Sequence, residues 1–134
     1  MDHARIADLK RRLQADPSSI AFAQLAEEYR RAGQLGEAVD VCREGLQRHP
    51  GYLSARITLG RALAERGEVA AAALEFEQVL GTAPDNLAAV RGLAELAHRQ
   101  GELERALTLY QRAASLTRNR REQAMMRERA RACR

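Results

Sequence analysis

The chain has 134 residues, 22 Lys and Arg against 18 Asp and Glu, 46% hydrophobic residues but only 4% aromatics, and no Trp. That length holds one compact domain or a short repeat array and excludes a two-domain enzyme with a separate cofactor module. The 26 Ala and 17 Leu, beside 9 Gly and 3 Pro, are helix material and exclude a sandwich, a barrel and a disordered chain.

In chain order, Asp2 can cap a first helix, expected over residues 3–16, with Ile6, Leu9 and Leu13 on one face. It ends before Asp16-Pro17, which reads as a cap followed by a proline at the first position of the next helix. Beyond it the chain repeats. A shift of 34 residues superposes Gly33, Gly67 and Gly101, then Leu25, Leu59 and Leu93, then Ala38, Ala72 and Ala106. Leu46 and Pro50 recur as Leu80 and Pro84.

Each column has a physical reason. The glycines follow helical stretches, where a left-handed residue closes the helix and reverses the chain. The alanines sit where a second helix crosses the first closely. Pro50 and Pro84 stop that second helix, and Asp85 is placed to cap the next. Phe22, Leu25, Ala26 and Tyr29 form one apolar stripe, and Ala38, Val41, Cys42 and Leu46 another. A unit of two amphipathic helices cannot bury its own apolar face, so consecutive units must stack.

On these residues the chain resembles the tetratricopeptide repeat family. Phe22, Leu25, Ala26, Tyr29, Gly33, Ala38, Gly45 and Pro50 match its signature in the first unit. The second keeps Leu59, Gly60, Gly67, Ala72, Phe76 and Pro84, with Arg56 and Leu63 departing. The third keeps Leu93, Ala94, Gly101, Ala106, Tyr110 and Ala113, but has Val90 for the aromatic and Arg118 for the proline, so its last helix could run longer. The resemblance implies an all-α, right-handed αα superhelix in one domain: an N-terminal helix, repeats over 19–52, 53–86 and 87–120, and a basic C-terminal helix over 121–134. In that last helix Met126, Ala130 and Cys133 form a thin apolar stripe, suited to capping the array.

The net charge of +4 is unevenly placed. Residues 1–117 carry 15 basic and 16 acidic side chains, whereas 118–134 carry seven Arg against Glu122 and Glu128. The high pI therefore describes an appendage and argues against nucleic acid in the body of the protein.

Candidate chemistry is sparse. His3, His49 and His98 are scattered over different units, the carboxylates interleave with Arg at helical spacing, and the glycines belong to turns. Neither an enzyme nor a cofactor or metal site is expected. Cys42 falls in an apolar stripe and reads as a small buried hydrophobe, while Cys133, near the end, could be accessible. No run is apolar and long enough to span a bilayer and no leader is seen, so the expected location is cytoplasmic.

The resemblance further implies a concave groove, lined by the first helix of each unit, that takes an extended segment or helix of a partner protein. Its columns carry over to Gln24, Glu27 and Arg31, to Ile57, Thr58 and Arg61, and to Arg91, Glu95 and His98. The subclass that clamps the terminal carboxylate of heat-shock chaperones needs Lys and Asn in such columns; Ala23, Glu27, Thr58, Ala88 and Gly92 stand there instead, so no carboxylate clamp is expected. The expected function is that of a non-catalytic adaptor or scaffold. Two alternatives remain: association of the Arg-rich helix with nucleic acid or an anionic surface, and service as the recruiting array of a larger enzyme or assembly complex. The terminal helices are also candidates for joining copies of the chain.

Overall fold

The computed structural model describes residues 3–134, so the cap expected at Asp2 lies outside the described residues. Eight α-helices and no strand occur among them: α1 (His3–Ala15), α2 (Ala21–Arg31), α3 (Leu35–Arg48), α4 (Leu53–Glu65), α5 (Val69–Thr82), α6 (Leu87–Arg99), α7 (Leu103–Leu116) and α8 (Arg120–Arg131). The chain divides into two compact units, the first ending at Glu75 and the second running from Phe76 to Arg134, with the division falling inside α5.

In the first unit α2 buries Phe22, Leu25, Ala26 and Tyr29 against Ala38, Val39, Cys42 and Leu46 of α3, while Ile6 and Leu9 bring α1 onto α2. The expected stripe of α2 is thus buried whole, whereas on α3 Val39 is the buried valine and the expected Val41 is only half-buried. α2 and α3 cross closely at Gly45, where a Cβ would overlap the Phe22 ring, so only glycine fits. Phe22 in turn stacks on the His49 imidazole at 5.8 Å between ring centroids. His49 Nε2 donates to the Ser18 carbonyl at 2.6 Å, which ties the α1–α2 connection to the end of α3. Arg56, where the repeat pattern has an aromatic, donates to Glu75 at 2.9 Å and to the Pro50 carbonyl at 3.0 Å, holding α4 by hydrogen bonds in place of a ring.

The three turn glycines all have positive φ, 78° at Gly33, 83° at Gly67 and 76° at Gly101. Each closes its helix in the same way, the amide after the glycine donating to a carbonyl five residues back: Gln34 to Tyr29, Glu68 to Leu63, Glu102 to Ala97. A left-handed backbone is what makes these columns glycine.

Two expected caps are corrected. α2 begins at Ala21 rather than at Pro17: Asp16 Oδ1 accepts from the Ser18 amide and hydroxyl, forming a local turn, and Ser19 Oγ accepts from the Ala21 amide. α6 is capped by Asn86 rather than Asp85, its Oδ1 accepting from the Ala89 amide at 3.0 Å.

The second unit packs Val90, Ala94 and Ala97 of α6 against Ala106, Tyr110 and Ala113 of α7, with Met126, Ala130 and Cys133 of the C-terminal segment completing the core. The small-residue requirement reappears at Gly92, whose Cβ would stand 2.5 Å from the Phe76 ring. Although Arg118 replaces the stop proline, α7 does not run on; it ends at Leu116, and Thr117 is extended at φ −94° and ψ 141°. Side chains do the work of the proline. Thr117 donates its hydroxyl to Glu122 at 2.7 Å and accepts from the Asn119 amide, while Asn119 Oδ1 accepts from the amides of Arg121 and Glu122. The break starts α8 at Arg120, 33 residues after Leu87 starts α6. Cys133, expected to be accessible, is 5% exposed because the chain stays folded onto α7 through its end.

Candidate partner-binding faces

The groove columns fall on α2 and α4 in the first unit and on α6 in the second, and the two sets are built differently. In the first unit Gln24 and Arg31 are exposed on α2, and Arg61 is exposed on α4. Arg31 and Arg61 have no ion pair among the described residues. Between them Arg30, absent from the expected set, organises the face: its Nε donates to Glu27 at 2.5 Å and its Nη1 to Glu65 of α4 at 2.6 Å. The hydrogen bond to Glu27 raises the Arg30 pKa above its ordinary value, outweighing the loss of water around it. Its sequence signal was the i,i+3 spacing to Glu27 together with Glu65 one repeat beyond Arg31. Ile57 and Thr58, expected to face a partner, are each 7% exposed and belong to the α4 core, so they offer no surface.

In the second unit the expected residues are already engaged. Arg91 pairs with Glu122 of α8 at 3.9 Å, and Glu95 pairs with Arg129 of α8 at 3.3 Å. His98 meets Tyr110 edge-on, the ring centroids 6.1 Å apart. Burial, followed by the charge of Glu95, pushes the Tyr110 phenol pKa up. α8 packs on α7 as α4 packs on α3, and it reaches α6 through these two ion pairs as α4 reaches α2 through Arg30–Glu65.

The sequence did not single out a cleft of about 330 Å³ in the first unit, lined by Leu13, Pro17, Phe22, Leu25, Tyr29 and Val41, with Lys10 and Glu44 among its polar lining. α1 meets α2 through the buried Ile6 and Leu9 and an Arg5–Glu28 ion pair at 3.2 Å, while Leu13, one turn further on, is only half-buried and lines the cleft with Phe22. Cys42 is fully buried, its thiol donating to the Ala55 carbonyl of α4 at 3.5 Å. Burial, reinforced by Glu27 and Glu75, pushes its thiol up to about 12, so it carries no thiolate at neutral pH. Among the described residues no group of three or more His, Cys, Asp or Glu side chains is arranged to hold a metal ion, and no helix is long and apolar enough to cross a membrane.

Paired antiparallel helices closed by left-handed glycines, recurring at a fixed interval, define an all-α helical-repeat protein. The tetratricopeptide repeat pattern matches residues 19–62 and 57–124, and the chain belongs to the tetratricopeptide repeat family. Solved structures agree in fold. TTC0263, a thermophilic tetratricopeptide repeat protein of Thermus thermophilus, superposes with a TM-score of 0.79 at 23% identity over 96% of this chain and 70% of its own. MamA superposes with a TM-score of 0.78 at 18% identity over 96% of this chain and 85% of its own. The first repeat domain of Spaghetti (RPAP3), solved with an HSP90 peptide bound, gives 0.75 at 17% identity over 87% of this chain and 93% of its own. No curated protein matches the sequence. Tetratricopeptide repeats are typically protein-interaction modules and generally lack catalysis of their own.

Proposed function

We propose that the chain is a non-catalytic adaptor whose first-unit face, on α2 and α4, takes an extended segment or helix of a partner protein. The observation that carries this reading is the pair of exposed, unpaired guanidinium groups of Arg31 and Arg61 beside the Glu27–Arg30–Glu65 network. Immobilised ion pairs give such a face fixed polar geometry, and two free Arg forks give it acceptors to seek, carboxylates or main-chain carbonyls. Gln24 adds an adaptable hydrogen-bonding group on the same helix. The second-unit columns, satisfied by α8, contribute less. The absence of Lys and Asn from the clamp columns separates this face from one that grips a chaperone terminus, although a repeat domain of the same fold has been solved with an HSP90 peptide bound.

The test is affinity capture from the native lysate with the wild type and with Arg31→Glu/Arg61→Glu, read by quantitative mass spectrometry. Both side chains are exposed and unpaired, so the thermal melt of the variant should coincide with the wild type while the captured proteins fall at least tenfold. An unchanged capture profile from a folded variant refutes the assignment of this face.

A further inference from the structure

Outside the proposed groove two charged stripes stand unsatisfied. α8 and its terminal turn present Arg127, Arg131 and Arg134, spaced four and then three residues apart, all exposed and without an ion pair among the described residues. On α3 the exposed carboxylates are Glu37, Asp40 and Glu44, spaced three and then four, also without an ion pair among the described residues. Spacings of three and four keep Glu37, Asp40 and Glu44 on one face of α3, and Arg127 and Arg131 on one face of α8 with Arg134 in the turn beyond. Read in opposite directions, the two triads match step for step: Glu44 with Arg127, Asp40 with Arg131, Glu37 with Arg134. At 1.5 Å rise per residue the steps on α3 are about 6 and about 4.5 Å, and the Arg127–Arg131 step on α8 is about 6 Å; Arg134 follows in the terminal turn, its amide donating to the Arg131 carbonyl at 3.2 Å. In the parallel direction the end pairs still match but the middle pair is offset by one residue, about 1.5 Å, so the antiparallel direction gives the better register.

We infer that the Arg stripe of α8 docks antiparallel on the acidic stripe of α3 of a second copy of this chain. The choice of occupant follows from the complementary triad on the same molecule and from the way this chain joins helices throughout, by Arg–Glu pairs such as Arg30–Glu65, Arg56–Glu75 and Arg129–Glu95. A single-stranded nucleic acid is disfavoured because α8 carries no aromatic side chain on which a base could stack. The contact uses different surfaces on the two copies and is therefore heterologous, able to add further copies. Because the pairs are exposed, the association is weak and sensitive to salt.

Sedimentation velocity of the full chain over a concentration series provides the test, at ionic strengths from about 0.01 M, where the screening length is about 30 Å, to about 1 M, where it is about 3 Å. The mass should climb above that of one chain with concentration in low salt and return to one chain in high salt. Asp40→Arg and Arg131→Glu should each remain single chains in low salt, with melts unchanged, and an equimolar mixture of the two should associate again because each restores the other's charge pair. A wild type that stays a single chain in low salt overturns the inference, as does either variant that associates like the wild type or a mixture that fails to recover. Retardation of duplex DNA by the wild type without self-association would assign the stripe to phosphates and equally overturn it.

Discussion

The two units use the same repeat columns to opposite ends. In the first, the α2 and α4 columns leave Arg31 and Arg61 open to solvent beside a fixed ion network; in the second, the α6 columns are closed by α8, which supplies Glu122 to Arg91 and Arg129 to Glu95. A column in a repeat pattern therefore specifies a position on a helix and not an exposed surface. What decides whether a column side chain is free for a partner is whether the neighbouring helix brings a complementary side chain within reach, as Arg129 reaches the still exposed Glu95.

The most disruptive way to break this contrast is to remove the closing helix. Met126 is fully buried in the second-unit core, and Met126→Asp would place an unpaired carboxylate there, at a cost of about 3–5 kcal/mol. Native-state hydrogen exchange should show the α8 amides losing protection while those of α2 and α3 keep theirs; retained protection across α8 would contradict its packing role. A smaller effect sharpens the likeness between the units. Gly45→Ala and Gly92→Ala each drive a Cβ into a phenylalanine ring, deeper into Phe22 than into Phe76, from which the Cβ at Gly92 would stand 2.5 Å. Each should cost about 1–3 kcal/mol in urea unfolding, Gly45→Ala the more, because overpacking forces ring and backbone apart. Equal or negligible losses would mean the crossings yield more easily than this overlap implies. The smallest effect separates the faces again: Arg91→Glu gives up a partly exposed pair with Glu122 and should lower stability by about 0.2–1 kcal/mol, while Arg61→Glu should leave it unchanged. Matched losses would show that the two faces are alike after all.

How far the sequence could be read varies with the range of the force involved. The turn glycines were legible because a left-handed residue at a helix end leaves almost no alternative to glycine, and Gly33, Gly67 and Gly101 all have that conformation. The apolar stripes were legible because helical periodicity and burial coincide. The caps at Asp16 and Asp85 were misread because adjacent polar residues compete for the same amides: the choice of Asn86 over Asp85 rests on one side chain reaching the Ala89 amide. The end of α7 was hidden for a related reason, since the hydrogen bonds of Thr117 and Asn119 substitute for a proline that the repeat pattern expects. Ile57 and Thr58 carried no mark in sequence that they face inward.

By itself the sequence determined the all-α class, the 34-residue period and the separation of a near-neutral body from an Arg-rich end, because local propensity, periodicity and charge are properties of neighbours along the chain. Only the tertiary structure decided which groove residues stand open, which are paired by α8, that Cys133 is buried, and that the Arg triad of the C-terminal segment and the acidic triad of α3 stand exposed without an ion pair among the described residues. Those outcomes depend on which side chains from distant segments arrive within a few ångströms of each other, and helix packing sets that distance where sequence spacing cannot.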